Sequence, residues 1–295
     1  MRSFLNHISE APKEKKPYSA CDILSQPDHT TFTKLYEKYR GNLSIDPEDY
    51  GNEVDKTGAE FLYNIREWFK QEGYDKSRFL PKLKKTIEEC KTRGEWTYYT
   101  GKVYRGVFKK VEGSNLKLEP KIVKKSTGVS GSQEMVTGTM TYVSKYDMQS
   151  WSAHTDVAHN FAEKGVGTKS YKPGDKVLKL PMLMETTISK QDSFMNPSWT
   201  GANMFGGESE VVRLSNKPLE AKVYIDLYQV FKGVRQMYAA HHTDNALSKM
   251  TLEKAEKFIH KTLKDMGGEA FAKFLLKRTM TNILPPDLMK DYKGQ

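Results

Sequence analysis

Apolar residues recur at intervals of three and four positions near both ends of the chain, which is the period of an amphipathic helix. The N-terminal stripe consists of Phe61, Leu62, Ile65, Trp68, Phe69, Phe79, Leu83 and Ile87. We therefore expect a helical N-terminal lobe over residues 1–95, with a loose tail or linker at residues 11–18.

A second stripe lies near the C-terminus and consists of Leu252, Ala255, Ile259, Leu263 and Met266. The glycine pair at 267–268 is predicted to stop this helix, because glycine commonly follows a helix end. Apolar residues at 271–275 predict another helix, which ends at the proline pair 285–286. Residues 236–295 are therefore predicted to form a C-terminal helical extension.

The middle of the chain has a different pattern. Residues 98–108 are mostly aromatic or β-branched, which predicts a strand. Apolar positions at 157, 158, 161 and 162 predict a helix that begins near Thr155 or Asp156. Composition and periodicity together predict the α+β class.

Length and composition narrow the class of protein. With 295 residues the chain can form one or two domains with a full core. Its two cysteines, Cys21 and Cys90, have no metal-ligand spacing, and we expect no disulfide framework and a reducing compartment.

The N-terminus lacks the long apolar core of a typical signal peptide. No apolar run approaches the ~20 residues of a membrane helix, so no membrane partner is expected.

The net charge of +10 is unevenly distributed. Residues 1–95 are balanced, whereas residues 96–235 carry 20 basic and 13 acidic residues. This excess suits an anionic cofactor and an acidic or nucleic-acid-bound target, although solubility accounts for it equally well. The lysines between 109 and 125, followed by a Ser-, Gly- and Thr-rich stretch at 126–132, predict a mobile basic loop.

Arg105 lies in the middle of the strand predicted at 98–108. A guanidinium in a buried strand needs an anionic partner, and its planar fork suits a phosphate. Gly106 beside it lets a ligand approach the backbone closely. For an isolated Tyr-Arg-Gly, an edge-strand arginine in water is the simpler interpretation.

Two further motifs follow along the chain. Ser150 and Ser152 flank Trp151 just before the predicted helix, so their hydroxyls can face a neighbouring carboxylate. Glu208 and Glu210 lie two residues apart at the start of a β-branched run, so in a strand both side chains point the same way. For the glutamate pair alone, a solvated strand edge is the more common interpretation.

Taken in order, the three motifs resemble the Arg–Ser–Glu signature of mono-ADP-ribosyltransferases, a family that includes bacterial toxins and enzymes of T-even-like phages. The resemblance covers residues 96–235. Residues 176–184 are similar to the family's middle strand and residues 219–227 to its closing strand. The family usually has Ser-Thr-Ser where this chain has Trp151 at the centre.

The resemblance implies the chemistry of the site. Glu210 would stabilise the oxocarbenium-like centre formed when NAD loses nicotinamide, and Ser150 would hold Glu210 by a hydrogen bond. Arg105 would bind the cofactor phosphates, and Gly106 would offer backbone contacts to the nicotinamide amide. Glu208 would orient or deprotonate the acceptor, which in this family goes with arginine as acceptor.

Further cofactor contacts are implied for Trp151, Ser152 and Phe161. Either Phe161 or Tyr171 would stack on nicotinamide. NAD serves as substrate, and no metal is required. The implied fold is a pair of small, mostly antiparallel sheets packed face to face, with NAD in the cleft between them.

The acceptor is expected to be an arginine on a target protein. A phage enzyme in the bacterial host cytoplasm, or carried in the virion, would modify transcription or translation proteins such as RNA polymerase or ribosomal proteins. The alternatives are a secreted or injected toxin, and an NAD glycohydrolase, which Glu208 disfavours because water needs no such partner. RNA with a 5′-NAD cap is a further donor compatible with the positive core.

A different class is a basic nucleic-acid-binding protein with accidental motif matches. Such a protein needs aromatic residues within its basic stripe for stacking. The lysine-rich stretch from Lys109 to Lys125 has none between its lysines.

Overall fold

A computed structural model describes residues 16–26, 30–39, 41–69, 78–111, 116–126, 131–144, 147–164, 171–172, 175, 177–194, 210–241 and 251–293. The chain divides into two compact units, Met1–Thr97 and Tyr98–Gln295. The predicted boundary between residues 95 and 96 lies two residues before this division. The helices after residue 236 belong to the same compact unit as the strands.

The first unit is helical in its described part. Its helices are α1 (Ala20–Leu24), α2 (Thr30–Tyr39), α3 (Lys56–Phe69) and α4 (Leu80–Arg93), with a short 3-10 turn at Pro47–Tyr50. The apolar stripe that predicted α3 and α4 forms their buried side, and its fully buried members include Phe61, Leu62, Ile65, Leu83 and Ile87. The helical character predicted from the spacing is confirmed.

A disulfide joins Cys21 in α1 to Cys90 in α4. The expectation of no disulfide was therefore wrong. The two cysteines are separated by 69 residues in sequence. The bond forms because α1 and α4 pack together, which no local spacing in the sequence reveals. Since disulfides persist in oxidising compartments, the cysteines give no support to a reducing one.

The described part of the second unit contains eight strands. They are β1 (Gly101–Lys110), β2 (Leu116–Ser126), β3 (Ser132–Tyr142), β4 (Gln149–Ser152), β5 (Lys179–Ile188), β6 (Ser193–Phe194), β7 (Glu210–Arg213) and β8 (Leu219–Asp226). Its helices are α5 (Thr155–Lys164), α6 (Leu227–His241), α7 (Leu252–Ile283) and α8 (Pro286–Lys293), and a short 3-10 turn covers Lys190–Asp192. The α+β class predicted from the sequence is confirmed.

The strands are arranged in the order β2-β3-β8-β5-β1-β4-β7-β6, and neighbouring strands pair antiparallel. The described strands therefore form one hydrogen-bonded sheet, whereas the resemblance implied two separate sheets. The junction between β1 and β4 has a single paired position, Tyr104 with Ser152. This one pair connects a five-stranded portion to a three-stranded portion.

The two faces of the sheet are covered differently. On one face the core is formed with α6 and α7, and it includes Val103, Trp151 and Val211. On the other face α5 packs against β1 and β5, where Ala158 and Leu183 belong to a smaller apolar cluster. Strand alternation produces this division, because successive side chains point to opposite faces.

The prediction of a mobile basic loop was wrong, because much of that stretch forms the strand β2. Leu116 and Leu118 are buried in the main core, and Lys117 between them is exposed. This alternation is typical of a half-buried strand. The pairing of β2 with β3 shifts register between Leu118 and Ile122, where the strand contains a proline.

The C-terminal helices pack on the main core through the predicted stripe. Ala255, Ile259 and Leu263 are fully buried there. The predicted helix stop is confirmed as a break inside α7, where Gly268 has φ 83° and ψ 178°. Only glycine adopts such a backbone conformation without strain.

Breaking the disulfide should destabilise the first unit. For a closed loop of 69 residues, the loss of chain entropy on cross-linking the unfolded state corresponds to about 4 kcal/mol of unfolding free energy. We expect a Cys21→Ser/Cys90→Ser variant to unfold at lower urea concentration, as followed by far-UV circular dichroism. The wild type in reducing agent should shift in the same direction, and the variant should not respond to it. A wild type unchanged by reduction would contradict the prediction.

Candidate functional site

Three adjacent strands, β1, β4 and β7, carry the residues of the predicted site. Arg105 lies on β1, Ser150 and Ser152 lie on β4, and Glu210 is the first residue of β7. The structure therefore places the three motifs side by side, although they are far apart in sequence. Glu208 lies outside the described residues, and Glu210 is described by its backbone alone.

Backbone register decides which positions are neighbours. Ser152 pairs with Tyr104 on one side and with Glu210 on the other. Ser150 pairs with Val212. The serine directly opposite Glu210 is thus Ser152, whereas the resemblance assigned the holding role to Ser150.

The end of β4 is shaped by its own serine. The Oγ atom of Ser152 accepts a hydrogen bond of 3.0 Å from the backbone N–H of His154. This side-chain turn stops the strand and leads directly into α5 at Thr155, because serine satisfies a backbone donor that the strand leaves unpaired. Ser152 is buried, and Ser150 is half-buried.

Arg105 is a half-buried cation. One of its terminal nitrogens donates a hydrogen bond to the backbone carbonyl of Ser150, and the guanidinium carbon lies 5.9 Å from the ring centroid of Tyr142. Its Nε atom is buried without a hydrogen-bond partner, and it forms no ion pair with any residue that the structure describes. A half-buried guanidinium with an unpaired Nε–H is suited to an anionic ligand.

Lys109 adds a second cation at the same aromatic ring. Its Nζ atom lies 4.8 Å from the centroid of Tyr142. Partial burial, together with the charge of Arg105, lowers the pKa of the Lys109 ammonium. The edge of Trp151 contacts Tyr142 at a centroid distance of 5.9 Å. Two cations on one ring create a positive potential on this part of the sheet.

Gly106 has a close neighbour of its own. A Cβ atom at this position would lie 1.8 Å from the carbonyl oxygen of Ala158 and 2.5 Å from the backbone nitrogen of Ala162. The close backbone approach that the glycine allows is therefore made by α5. On this face the helix occupies the space that was expected to admit a ligand.

The other predicted contact residues have separate environments. Trp151 is 2% exposed and lies in the main core, where its Nε1 atom has no described partner. Its burial on the core face explains how a large residue fits between the two serines. Phe161 on α5 is 42% exposed. The hydroxyl of Tyr171 donates to the carbonyl of Lys179 and accepts from its N–H, both at 3.0 Å, so this ring has a structural role.

A charged cluster on the α5 face was not predicted. Glu185 on β5 accepts hydrogen bonds from Lys125 at 2.8 Å and from the hydroxyl of Tyr224 at 3.2 Å, and Lys102 lies 3.3 Å away. Burial alone would raise the pKa of Glu185, but the bonds and charges of the two lysines outweigh it and lower that pKa. Burial and the charge of Glu185 raise the pKa of Tyr224, so its hydroxyl remains a donor.

The described ranges contain no group of three or more His, Cys, Asp or Glu residues that could hold a metal ion. Among the helices of these ranges, none combines the length and apolar character needed to cross a membrane. The chain matches no protein-family model, no curated protein and no solved structure.

The contact at Gly106 predicts a sensitive position. We expect Gly106→Ala to lower the unfolding free energy of the second unit by about 1–3 kcal/mol or more, because the atoms it meets are backbone atoms of a helix that cannot rotate away. Thermal unfolding measures the effect. The control is Gly41→Ala in the first unit, where nothing lies within 4 Å of the added Cβ, and it should leave the unfolding of the second unit unchanged. A second unit of wild-type stability in Gly106→Ala would show that α5 yields easily.

Proposed function

We propose that this chain is an NAD-dependent mono-ADP-ribosyltransferase that modifies arginine on target proteins. The observation that carries the proposal is the placement of Arg105, the Ser150–Ser152 motif and Glu210 on three adjacent strands. These motifs are separated by tens of residues in the chain. Random matches would have no reason to lie on three neighbouring strands.

The state of Arg105 supports a phosphate ligand. The guanidinium lies beside β4 through its bond to the Ser150 carbonyl, and it has a buried Nε without a described partner. A cofactor pyrophosphate would supply the missing acceptors and charge. Lys109, on the same Tyr142 ring, is near enough to add a second positive charge.

In the proposed reaction the bond between nicotinamide and ribose breaks, nicotinamide leaves with the bonding electrons, and an oxocarbenium-like centre remains. The carboxylate of Glu210 stabilises that positive charge. The arginine nitrogen then attacks the ribose carbon and loses a proton, which Glu208 accepts. The role of Glu210 requires its carboxylate to face the same side of the sheet as Ser152, the residue paired with it. Arg105 projects from the other face, so a single cofactor has to pass the edge of β1 beside β4, where the guanidinium already bonds the Ser150 carbonyl.

The helix α5 fills the space next to Gly106 on one face of the sheet. It therefore restricts the contact proposed between the backbone at Gly106 and the nicotinamide amide. Backbone contacts to the nicotinamide amide therefore have to use the edge of β1 next to β4. That edge is available because β1 and β4 pair at Tyr104 and Ser152 alone among the described positions.

For the biological setting we propose two cases. The first is a phage enzyme that acts in the bacterial host cytoplasm on transcription or translation proteins, with NAD or NAD-capped RNA as donor. The second is a secreted toxin, and the Cys21–Cys90 disulfide favours it, because such bonds persist in oxidising environments. The proposed chemistry is the same in both.

The two glutamates should separate under mutation. Glu210→Gln should abolish both arginine modification and NAD hydrolysis while NAD still binds, since the amide keeps the shape and loses the charge. Glu208→Gln should lose transfer to arginine and keep slow hydrolysis, because water attacks without help. Nicotinamide release and labelled-protein formation, measured side by side with labelled NAD and a bacterial lysate, report the two activities.

The outcomes of this experiment are distinct. Glu210→Gln within tenfold of the wild type would remove Glu210 from the reaction. Parallel loss of both activities in Glu208→Gln would mean that the two carboxylates act as one unit. Parallel retention would mean that Glu208 has no part in acceptor recognition, and a wild type without either activity would overturn the transferase proposal.

The phosphate role of Arg105 has its own measurement. Arg105→Lys should weaken NAD binding by about 1–3 kcal/mol, because a point charge replaces a bidentate fork. Titration calorimetry gives the affinity. Arg235→Lys, at an exposed position of α6, is the matched control and should bind NAD like the wild type. Equal affinities of the two variants would remove Arg105 from the cofactor site.

A further inference from the structure

A row of directly paired residues crosses six neighbouring strands of the sheet. Its members, from β2 to β4, are Lys117, Thr139, Lys222, Glu185, Tyr104 and Ser152. Residues that face each other in an antiparallel pair project from the same side of the sheet. The row therefore lies on the face that carries α5, and it leads to the serine of the candidate site.

Basic residues dominate this part of the face. We define the lysine patch as Lys102, Lys117, Lys125 and Lys222. Lys102, Lys117 and Lys222 are exposed. The Nζ atom of Lys125 lies 2.8 Å from the Oε2 atom of Glu185. The described acidic residues among them are Glu119, Glu185 and Glu220, and the hydroxyls of Thr137 and Thr141 donate to the carboxylates of Glu119 and Glu220. The patch therefore has an excess of positive charge.

Tyrosine rings lie between the lysines. The Nζ atom of Lys125 is 4.0 Å from the ring centroid of Tyr224 and 5.3 Å from that of Tyr104. The Nζ atom of Lys222 is 5.3 Å from the Tyr224 centroid. Tyr224 is buried, whereas Tyr104 is half-buried and offers part of its ring beside Ser152. The combination of aromatic and basic residues that is missing from the lysine-rich stretch between Lys109 and Lys125 is thus created by strand pairing.

The length of the patch indicates an extended ligand. Four strand spacings of about 4.8 Å separate β2 from β1, so the row from Lys117 to Tyr104 covers about 19 Å. A single small anion would contact one or two of these lysines. A chain of regularly spaced negative charges could contact all of them in succession.

We propose that the lysine patch binds the phosphate backbone of a single-stranded nucleic acid, with Tyr104 as a platform for one base. Positively charged surfaces with interspersed aromatic rings bind single strands in this way, largely independently of sequence. The strand would run across the sheet from β2 toward β4. This inference does not rest on the proposed transferase activity.

Fluorescence anisotropy with labelled single strands tests the proposal on the full chain. The probes are RNA and DNA oligonucleotides of about 12 nucleotides, within the range that such sites cover. The patch variant is Lys102→Ala/Lys117→Ala/Lys222→Ala, which leaves Lys125 and its bond to Glu185 in place. The control variant is Lys257→Ala/Lys261→Ala/Lys277→Ala, at exposed positions of α7 with the same change in charge.

We expect the patch variant to bind at least about tenfold more weakly, whereas the control variant changes by less than about threefold. The slope of log affinity against log salt should shrink by about 2 for three lost phosphate contacts. Replacing the same three lysines by arginine should keep binding, which separates charge from folding.

Three results would overturn the proposal. The first is a wild type that binds neither RNA nor DNA at low salt. The second is an equal loss of binding affinity in the patch and control variants. The third is displacement of the labelled probe by polyglutamate as effective as displacement by an unlabelled oligonucleotide of the same charge. The last result would identify the patch as a surface for acidic polymers in general. Binding of one of the two nucleic acids, lost in the patch variant, supports the proposal and shows which sugar is preferred.

Discussion

The contact between α5 and Gly106 is the constraint on which the candidate site depends. The strands β1 and β4 share one paired position, which by itself is a weak connection between the two portions of the sheet. The helix α5 follows β4 directly and packs its backbone at Ala158 and Ala162 onto β1 at Gly106. The missing side chain of the glycine lets the helix come this close, and the packed helix holds β4 beside the strand of Arg105.

The second unit has two positively charged regions, which lie on opposite faces of the sheet. On the core face, Arg105 and Lys109 lie at the ring of Tyr142, where partial burial strengthens their attraction for an anion. On the α5 face, the lysine patch is more exposed and more extended. Tyr104 and Arg105 are neighbours in β1, so the two regions meet at the strand that carries the candidate site.

Much of the fold follows from patterns in the sequence. Helical spacing predicted α3, α4, α5 and the two parts of α7, and the aromatic and β-branched stretch at 98–108 predicted β1. The many lysines of residues 116–126 predict a loop, whereas the alternation of buried Leu116 and Leu118 with exposed Lys117 is the pattern of the strand β2. For the site, motif order predicted that Arg105, the serines and Glu210 belong together, but not which serine is paired with Glu210.

The sequence by itself determined the α+β class, most helices and the identity of the candidate residues, because periodicity and residue chemistry are local properties. Tertiary structure alone decided the Cys21–Cys90 bond, the pairing of Ser152 with Tyr104 and Glu210, and the helix that occupies the space at Gly106. It also decided the lysine patch, whose members come from three strands. These features depend on strand register and helix packing between segments distant in the chain, which leave no local pattern.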